Sequence, residues 1–136
     1  MRLNLQKTYL LFTLLATLIL IATNVSGQSD TTPKKRLRSP ATVKGLVGGE
    51  SHDSYVIFTR KGQVMTVQIS WRREGENHAG FTISQSPSFF ENREVGFGKA
   101  SNKDRSWTGK VPKTRDYYIY VVAHPTAHYA LKVTTK

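Results

Sequence analysis

The sequence predicts an all-β protein, folded as a single antiparallel β-sandwich of about eight strands. Three observations carry this. From Ala41 onward, short runs rich in β-branched and aromatic residues recur between clusters of Gly, Pro, Asn and Asp. Within several of these runs, apolar and polar residues alternate with a period of two. After residue 30 no stretch carries the 3.6-residue period of an amphipathic helix. Short strands at even spacing with turn signals between them argue a sandwich. With 136 residues, the chain has room for one ordinary domain and not two.

The first 27 residues read as a cleavable export signal. Met1 to Lys7 carries Arg2 and Lys7 and no acid, and Tyr9 to Ala22 (YLLFTLLATLILIA) is almost wholly apolar. Val25-Ser26-Gly27 then offers small residues at the −3 and −1 positions of a cut before Gln28. The apolar run is short for a permanent anchor, which needs about 20 residues; an uncleaved signal anchor is the alternative. An exported protein is expected, periplasmic or extracellular. Residues 28–40 (QSDTTPKKRLRSP) are polar and basic, hold two prolines and show no hydrophobic period, so they are expected to be a disordered basic linker. Residues 41–136 are the folded domain.

Within it, strands are expected at Ala41–Val47, Ser54–Thr59, Val64–Trp71, Gly80–Gln85, Glu94–Gly98, Ser106–Val111, Tyr117–Ala123 and Tyr129–Thr134. Arg60-Lys61-Gly62-Gln63 reads as a hairpin turn with Gly62 supplying the unusual dihedral. Pro112 to Asp116 turns the chain again. Alternation assigns faces. Tyr55, Ile57 and Thr59 share one side of their strand; Met65, Val67, Ile69 and Trp71 share one side of theirs; Tyr129, Leu131 and Val133 do the same in the last. The strand at Tyr117–Ala123 is apolar or aromatic on both sides. Either it is central and covered twice, or Tyr118 and Tyr120 are exposed.

Charge and cysteine content narrow the partners. The chain has 20 Lys and Arg against 9 Asp and Glu, a net charge of +11. Removing the leader takes away only Arg2 and Lys7, leaving +9. A basic exported protein is drawn to anionic lipid headgroups, wall polymers and acidic proteins, and export disfavours nucleic acid as a partner. There is no cysteine, so no disulfide staples the fold and no Cys-based metal or redox site can form.

The residues also carry a resemblance. Asp53-Ser54-Tyr55-Val56-Ile57-Phe58 followed by Lys61-Gly62-Gln63-Val64-Met65-Thr66-Val67-Gln68-Ile69 resembles the front half of the bacterial pre-peptidase C-terminal (PPC-type) domain, with its Asp-x-Tyr strand, Gly turn and alternating strand. Trp107 to Pro112, Asp116 to Val121 and Tyr129-Ala130-Leu131-Lys132-Val133 resemble the closing strands of the same family. The resemblance spans residues 41–135 and implies a small jelly-roll-like sandwich that is not itself an enzyme. A stand-alone domain of this kind behind an export signal is similar to the periplasmic inhibitors of g-type lysozyme, whose end loops plug the lysozyme cleft. There the resemblance implies a Ser-Gly-x-Tyr element and an Arg-bearing loop. Here Thr114-Arg115-Asp116-Tyr117 stands at the first place, so only Tyr117 carries over, and His124-Pro125-Thr126-Ala127-His128 at the second holds no Arg.

Other constellations point away from chemistry. His52-Asp53-Ser54 contains the three triad residue types, but neighbours on an extended chain face opposite ways and cannot form a relay. His124 and His128 are four apart, yet Pro125 excludes the helix that would align them on a metal. Glu50, Asp53 and Asp116 are scattered acids without a calcium-loop pattern. Of the adjacent Phe89 and Phe90 in the loop after Gln85, one is expected to pack beneath the loop and the other to offer a contact. The expectation is therefore a secreted binding domain without cofactor or metal. Its contacts with a lysozyme-like hydrolase are assigned to Arg115, Tyr117, Tyr118, Tyr120, His124 and His128. The alternative is a module that binds wall carbohydrate or touches an anionic envelope surface.

Overall fold

The computed structural model describes residues 29–91 and 93–136; the expected leader and its cleavage site lie outside the described residues. The strands are β1 (Lys34–Leu37), β2 (Ala41–Gly48), β3 (Asp53–Thr59), β4 (Val64–Trp71), β5 (His78–Ser84), β6 (Lys99–Ser101), β7 (Ser106–Lys110), β8 (Arg115–His124) and β9 (Thr126–Thr135). They form two sheets, of order β1-β3-β8-β5 and β2-β9-β4-β7-β6. The expected all-β sandwich is thus present, with one strand more than the sequence predicts.

The connections differ from expectation. Arg60 to Gln63 makes a tight turn, with Gly62 at φ +89°, but β3 and β4 lie in different sheets. The turn is an arch across the core rather than a hairpin. The same is true of the Pro112 turn between β7 and β8, and of Pro125 between β8 and β9. The reason lies in the buried faces. Tyr55, Ile57 and Thr59 of β3 and Met65, Val67 and Ile69 of β4 are all buried, and two apolar faces joined by a short turn meet best across a core. Among the described residues, only β6 and β7 are neighbours in both sequence and sheet.

Two further expectations are corrected. Residues 34–37 are not a disordered linker: β1 pairs in parallel with β3, Lys34 opposite Ser54 through Leu37 opposite Ile57. One buried apolar residue, Leu37, leaves no period to read, and the pairing depends on the free edge of β3, which lies far along the chain. Residues 94–98 form no strand beyond a single bridge between Glu94 and Ser84. Gly96 and Gly98 interrupt the run. Gly98 has φ +82° and lies against the Trp107 ring, where a β-carbon would come within 2.3 Å. The extended backbone resumes at β6.

The two-sided apolar strand is explained by position. β8 is internal to its sheet. Its inner face (Tyr117, Ile119, Val121, Ala123) is buried in the core. On its outer face, Tyr120 is buried beneath the segment that follows β5 and donates a hydrogen bond to Ser86 O at 2.6 Å. Phe89 packs edge-on to Tyr120 and stacks on His52 with ring centroids 4.0 Å apart. Phe90 remains half exposed.

Asp30 fastens this cover. Its carboxylate accepts from the backbone N–H groups of Thr32 and Phe89, both at 3.0 Å, and faces Lys34 at 3.6 Å and His52 at 3.4 Å. Burial raises its pKa, but the two amide hydrogen bonds and Lys34 outweigh it, and the net value falls to about 2. A carboxyl depressed on folding stabilises the native state above its unfolded pKa, near 4, and loses that contribution as pH falls through about 2. Asp30→Asn is therefore expected to cost about 2 kcal/mol at neutral pH, with the difference from wild type shrinking between pH 4 and 2 in urea titrations.

Between the sheets lies a buried polar network. Tyr129 of β9 donates to Asp53 of β3, and its hydroxyl is hydrogen-bonded to that of Tyr55. Because the one proton of Tyr129 goes to the carboxylate, Tyr55 is the donor in the second bond. Burial first, then these partners, raise the Tyr129 pKa far above the usual phenol range. The residues of the Asp-x-Tyr element thus tie one sheet to the other.

Candidate functional site

One end of the sandwich is braced by backbone hydrogen bonds. The β3–β4 turn is bound to the chain after β7 by Gly62 N to Val111 O and Val111 N to Gln63 O, both 2.8 Å. Lys61 N donates to Thr114 Oγ1 at 2.8 Å, and the Tyr117 hydroxyl donates to Lys113 O at 2.9 Å. Thr135 N donates to Ser39 Oγ at 2.7 Å, holding the β1–β2 crossing against the end of β9. Loops tied in this way present side chains from a fixed base, which lowers the entropy cost of binding.

The side chains presented are strongly basic. Segments 34–40, 57–63 and 111–117 meet here and contain one carboxylate, Asp116. Arg36 clamps it with two hydrogen bonds of 2.9 and 3.0 Å, and this pairing holds the Asp116 carboxyl below its ordinary range. Arg115 is spent on Gln85, donating to its side-chain and backbone oxygens at 2.9 and 2.8 Å. Arg38 and Arg60 are exposed, and neither guanidinium has a hydrogen-bonding or ionic partner among the described residues. Between them opens a recess of about 360 Å³, lined by Arg36, Arg38, Arg60, Gln63 and Phe58, with the buried Leu37 and Ile57 beneath. Phe58 is 52% exposed. An open recess with free guanidinium forks and an exposed ring is suited to a carboxylate-bearing partner surface.

The residues expected at the site do not gather in one place. Arg115 and Tyr117 are at the basic end, but Tyr117 is fully buried, below the Arg115 guanidinium at 6.0 Å and edge-on to Phe97. Tyr120 is buried beneath the 85–90 segment. A ring with no accessible surface cannot touch a partner, so both tyrosines support the fold. Tyr118 is half-buried on the outer face of β8. His124 and His128 are exposed but lie at the other end. β8 runs from Arg115 to His124, which at about 3.3 Å per residue separates them by about 30 Å. The His124–His128 stretch is also not a loop: both residues are within strands, and only Pro125 joins β8 to β9.

Arg36, Arg38, Arg60 and Phe58 escaped the sequence reading. The signal for Phe58 was present in the alternation, since it points away from the side shared by Ile57 and Thr59. The arginines were hidden by taking residues 34–38 as a tail. The triad residue types are dispersed as expected: His52 faces Asp30, Asp53 faces Tyr129, and the buried Ser54 hydroxyl has no hydrogen-bond partner among the described residues. Among the described residues no three His, Asp or Glu side chains converge as a metal site would require.

No protein-family model matches the sequence, and no curated protein does at the sequence level. Solved structures do match. The periplasmic inhibitor of g-type lysozyme from Aeromonas hydrophila aligns with a TM-score of 0.62 at 21% identity, over 79% of this chain and 100% of the inhibitor. The pre-peptidase C-terminal domain of Bacillus anthracis collagenase aligns with a TM-score of 0.57 at 17% identity, over 78% of this chain and 99% of that domain. The g-type lysozyme inhibitor from Salmonella Typhimurium gives 0.51 at 17% identity, over 76% and 98%. This chain therefore has the β-sandwich fold common to periplasmic lysozyme inhibitors and the pre-peptidase C-terminal domain.

Proposed function

We propose that this protein is an exported, non-enzymatic binding domain that blocks a wall-degrading, lysozyme-like hydrolase by presenting its basic end to the enzyme's cleft. The observation that carries this reading is the pair Arg38 and Arg60, both without partners among the described residues, flanking the exposed Phe58 on a braced end. Glycoside hydrolases keep two carboxyl groups on either side of the scissile bond. A plug for such a cleft gains most from forked guanidinium donors, which bind carboxylates two bonds at a time. The fold shared with periplasmic inhibitors of g-type lysozyme supports the same partner class and a place outside the cytoplasm. The Ser-Gly-x-Tyr element that the family resemblance implies is replaced here by a turn tied to Lys61 and Gln85, so the contact is assigned to Arg38, Phe58 and Arg60.

The test is turnover of cell-wall substrate by g-, c- and i-type lysozymes with and without the purified protein at matched ionic strength. Stoichiometric inhibition of the g-type enzyme, with the others unaffected, is the expected result. A folded protein that inhibits none of the three contradicts it.

A further inference from the structure

The outer face of the β2-β9-β4-β7-β6 sheet has a composition that neither the fold nor the basic end requires. None of these five strands contains a single Asp or Glu. Register places Thr134, Thr66, Thr108 and Lys99 in one row across four strands. The hydroxyls of Thr66 and Thr108 are 3.3 Å apart. The adjacent row, about 7 Å away along the strands, carries Lys132, Gln68 and Ser106 in register. Lys44 and Lys110 extend the positive charge toward two corners, and Lys44, Lys99, Lys110 and Lys132 are all exposed. None of the four has an ion-pair partner among the described residues.

From this we infer that the face is a second binding surface, separate from the arginine end, and that its ligand is a polyanionic glycan. Lysines spread at the margins are point charges that meet anions at varied positions, and each cation that contacts a polyanion releases counterions. The Thr, Gln and Ser side chains between them, about 4.8 Å from strand to strand within each row, supply donors and acceptors to sugar hydroxyls. Its five strands place no Phe, Tyr or Trp ring on this side; the one imidazole there is His128, at the end of β9 beside Leu46. Leu46 and Val64, its exposed large apolar residues, sit at separate margins. Nothing on it forms the continuous apolar face that enters a bilayer, or the stacking platform that holds bases.

The test is calorimetric titration of the purified protein with polygalacturonate and dextran sulfate, against neutral dextran and anionic phospholipid vesicles. Binding to the two charged glycans, weakening as salt rises, is expected. Lys44→Glu with Lys132→Glu should weaken it about tenfold, and Thr66→Val with Thr108→Val about threefold. Circular dichroism confirms that each pair is folded. Arg38→Glu with Arg60→Glu, at the other site, should change affinity far less than the lysine pair. Absence of binding to both charged glycans overturns the inference, as does equal affinity for neutral dextran or tighter binding to the vesicles. So does a larger loss from the arginine pair than from the lysine pair.

Discussion

Gly45→Ala is expected to destabilise the domain by about 3 kcal/mol in urea unfolding, near the top of the range for overpacked sites. Gly45 of β2 faces the polar network between the sheets. A β-carbon there would stand 2.6 Å from Asp53 Oδ2 and 2.6 Å from the Tyr129 hydroxyl. Neither neighbour can retreat without breaking its hydrogen bond, because Tyr129 links Asp53 and Tyr55 at once. Tyr129→Phe probes the same network from the other side. It leaves a carboxylate and a phenol without their shared partner and is expected to cost about 2 kcal/mol. Since Tyr55 acts through Tyr129, the Tyr55→Phe and Tyr129→Phe losses should not add, and the double variant should cost less than their sum. Additive losses would mean that the hydroxyls contribute separately.

Arg38→Glu combined with Arg60→Glu is expected to weaken inhibition of a g-type lysozyme by at least about 100-fold, as loss of close charge pairs does at protein interfaces. Both side chains are exposed and have no partner among the described residues, so unfolding stability should move by no more than about 0.5 kcal/mol. Arg36 is the wrong choice for this test, because removing it strips Asp116 of its clamp and would confound binding with a local rearrangement. His124→Ala with His128→Ala is the matching control. Those residues are at the far end of β8, and their loss should leave inhibition unchanged.

Much of the fold was legible because the core strands alternate. Val64 to Trp71 is bounded in the structure as the sequence predicts, since every second residue from Met65 to Ile69 is buried and the others face solvent. β9 reads as clearly from Tyr129, Leu131 and Val133. What could not be read was pairing between distant segments. Nothing local in Lys34 to Leu37 announces a strand, because its partner is β3 and its contribution to the core is one leucine. Nor does a tight turn at Gly62 reveal whether the flanking strands pair or face one another across the core. The site was harder still. Tyr117 and Tyr120 attract attention as aromatic residues, yet their rings are consumed by the fold. Arg38 and Arg60 lie 22 positions apart in the sequence and become neighbours only once β1 docks on β3. Aromatic content identified residues that matter for stability, and only the register of β1 identified those available to a partner.

The most direct test of the central claim is amide hydrogen exchange of the purified protein with and without equimolar g-type lysozyme. Slowed exchange confined to residues 36–40, 58–63 and 112–115 is the result that the arginine-end account predicts. Slowed exchange at residues 124–128, or no change anywhere, would contradict it.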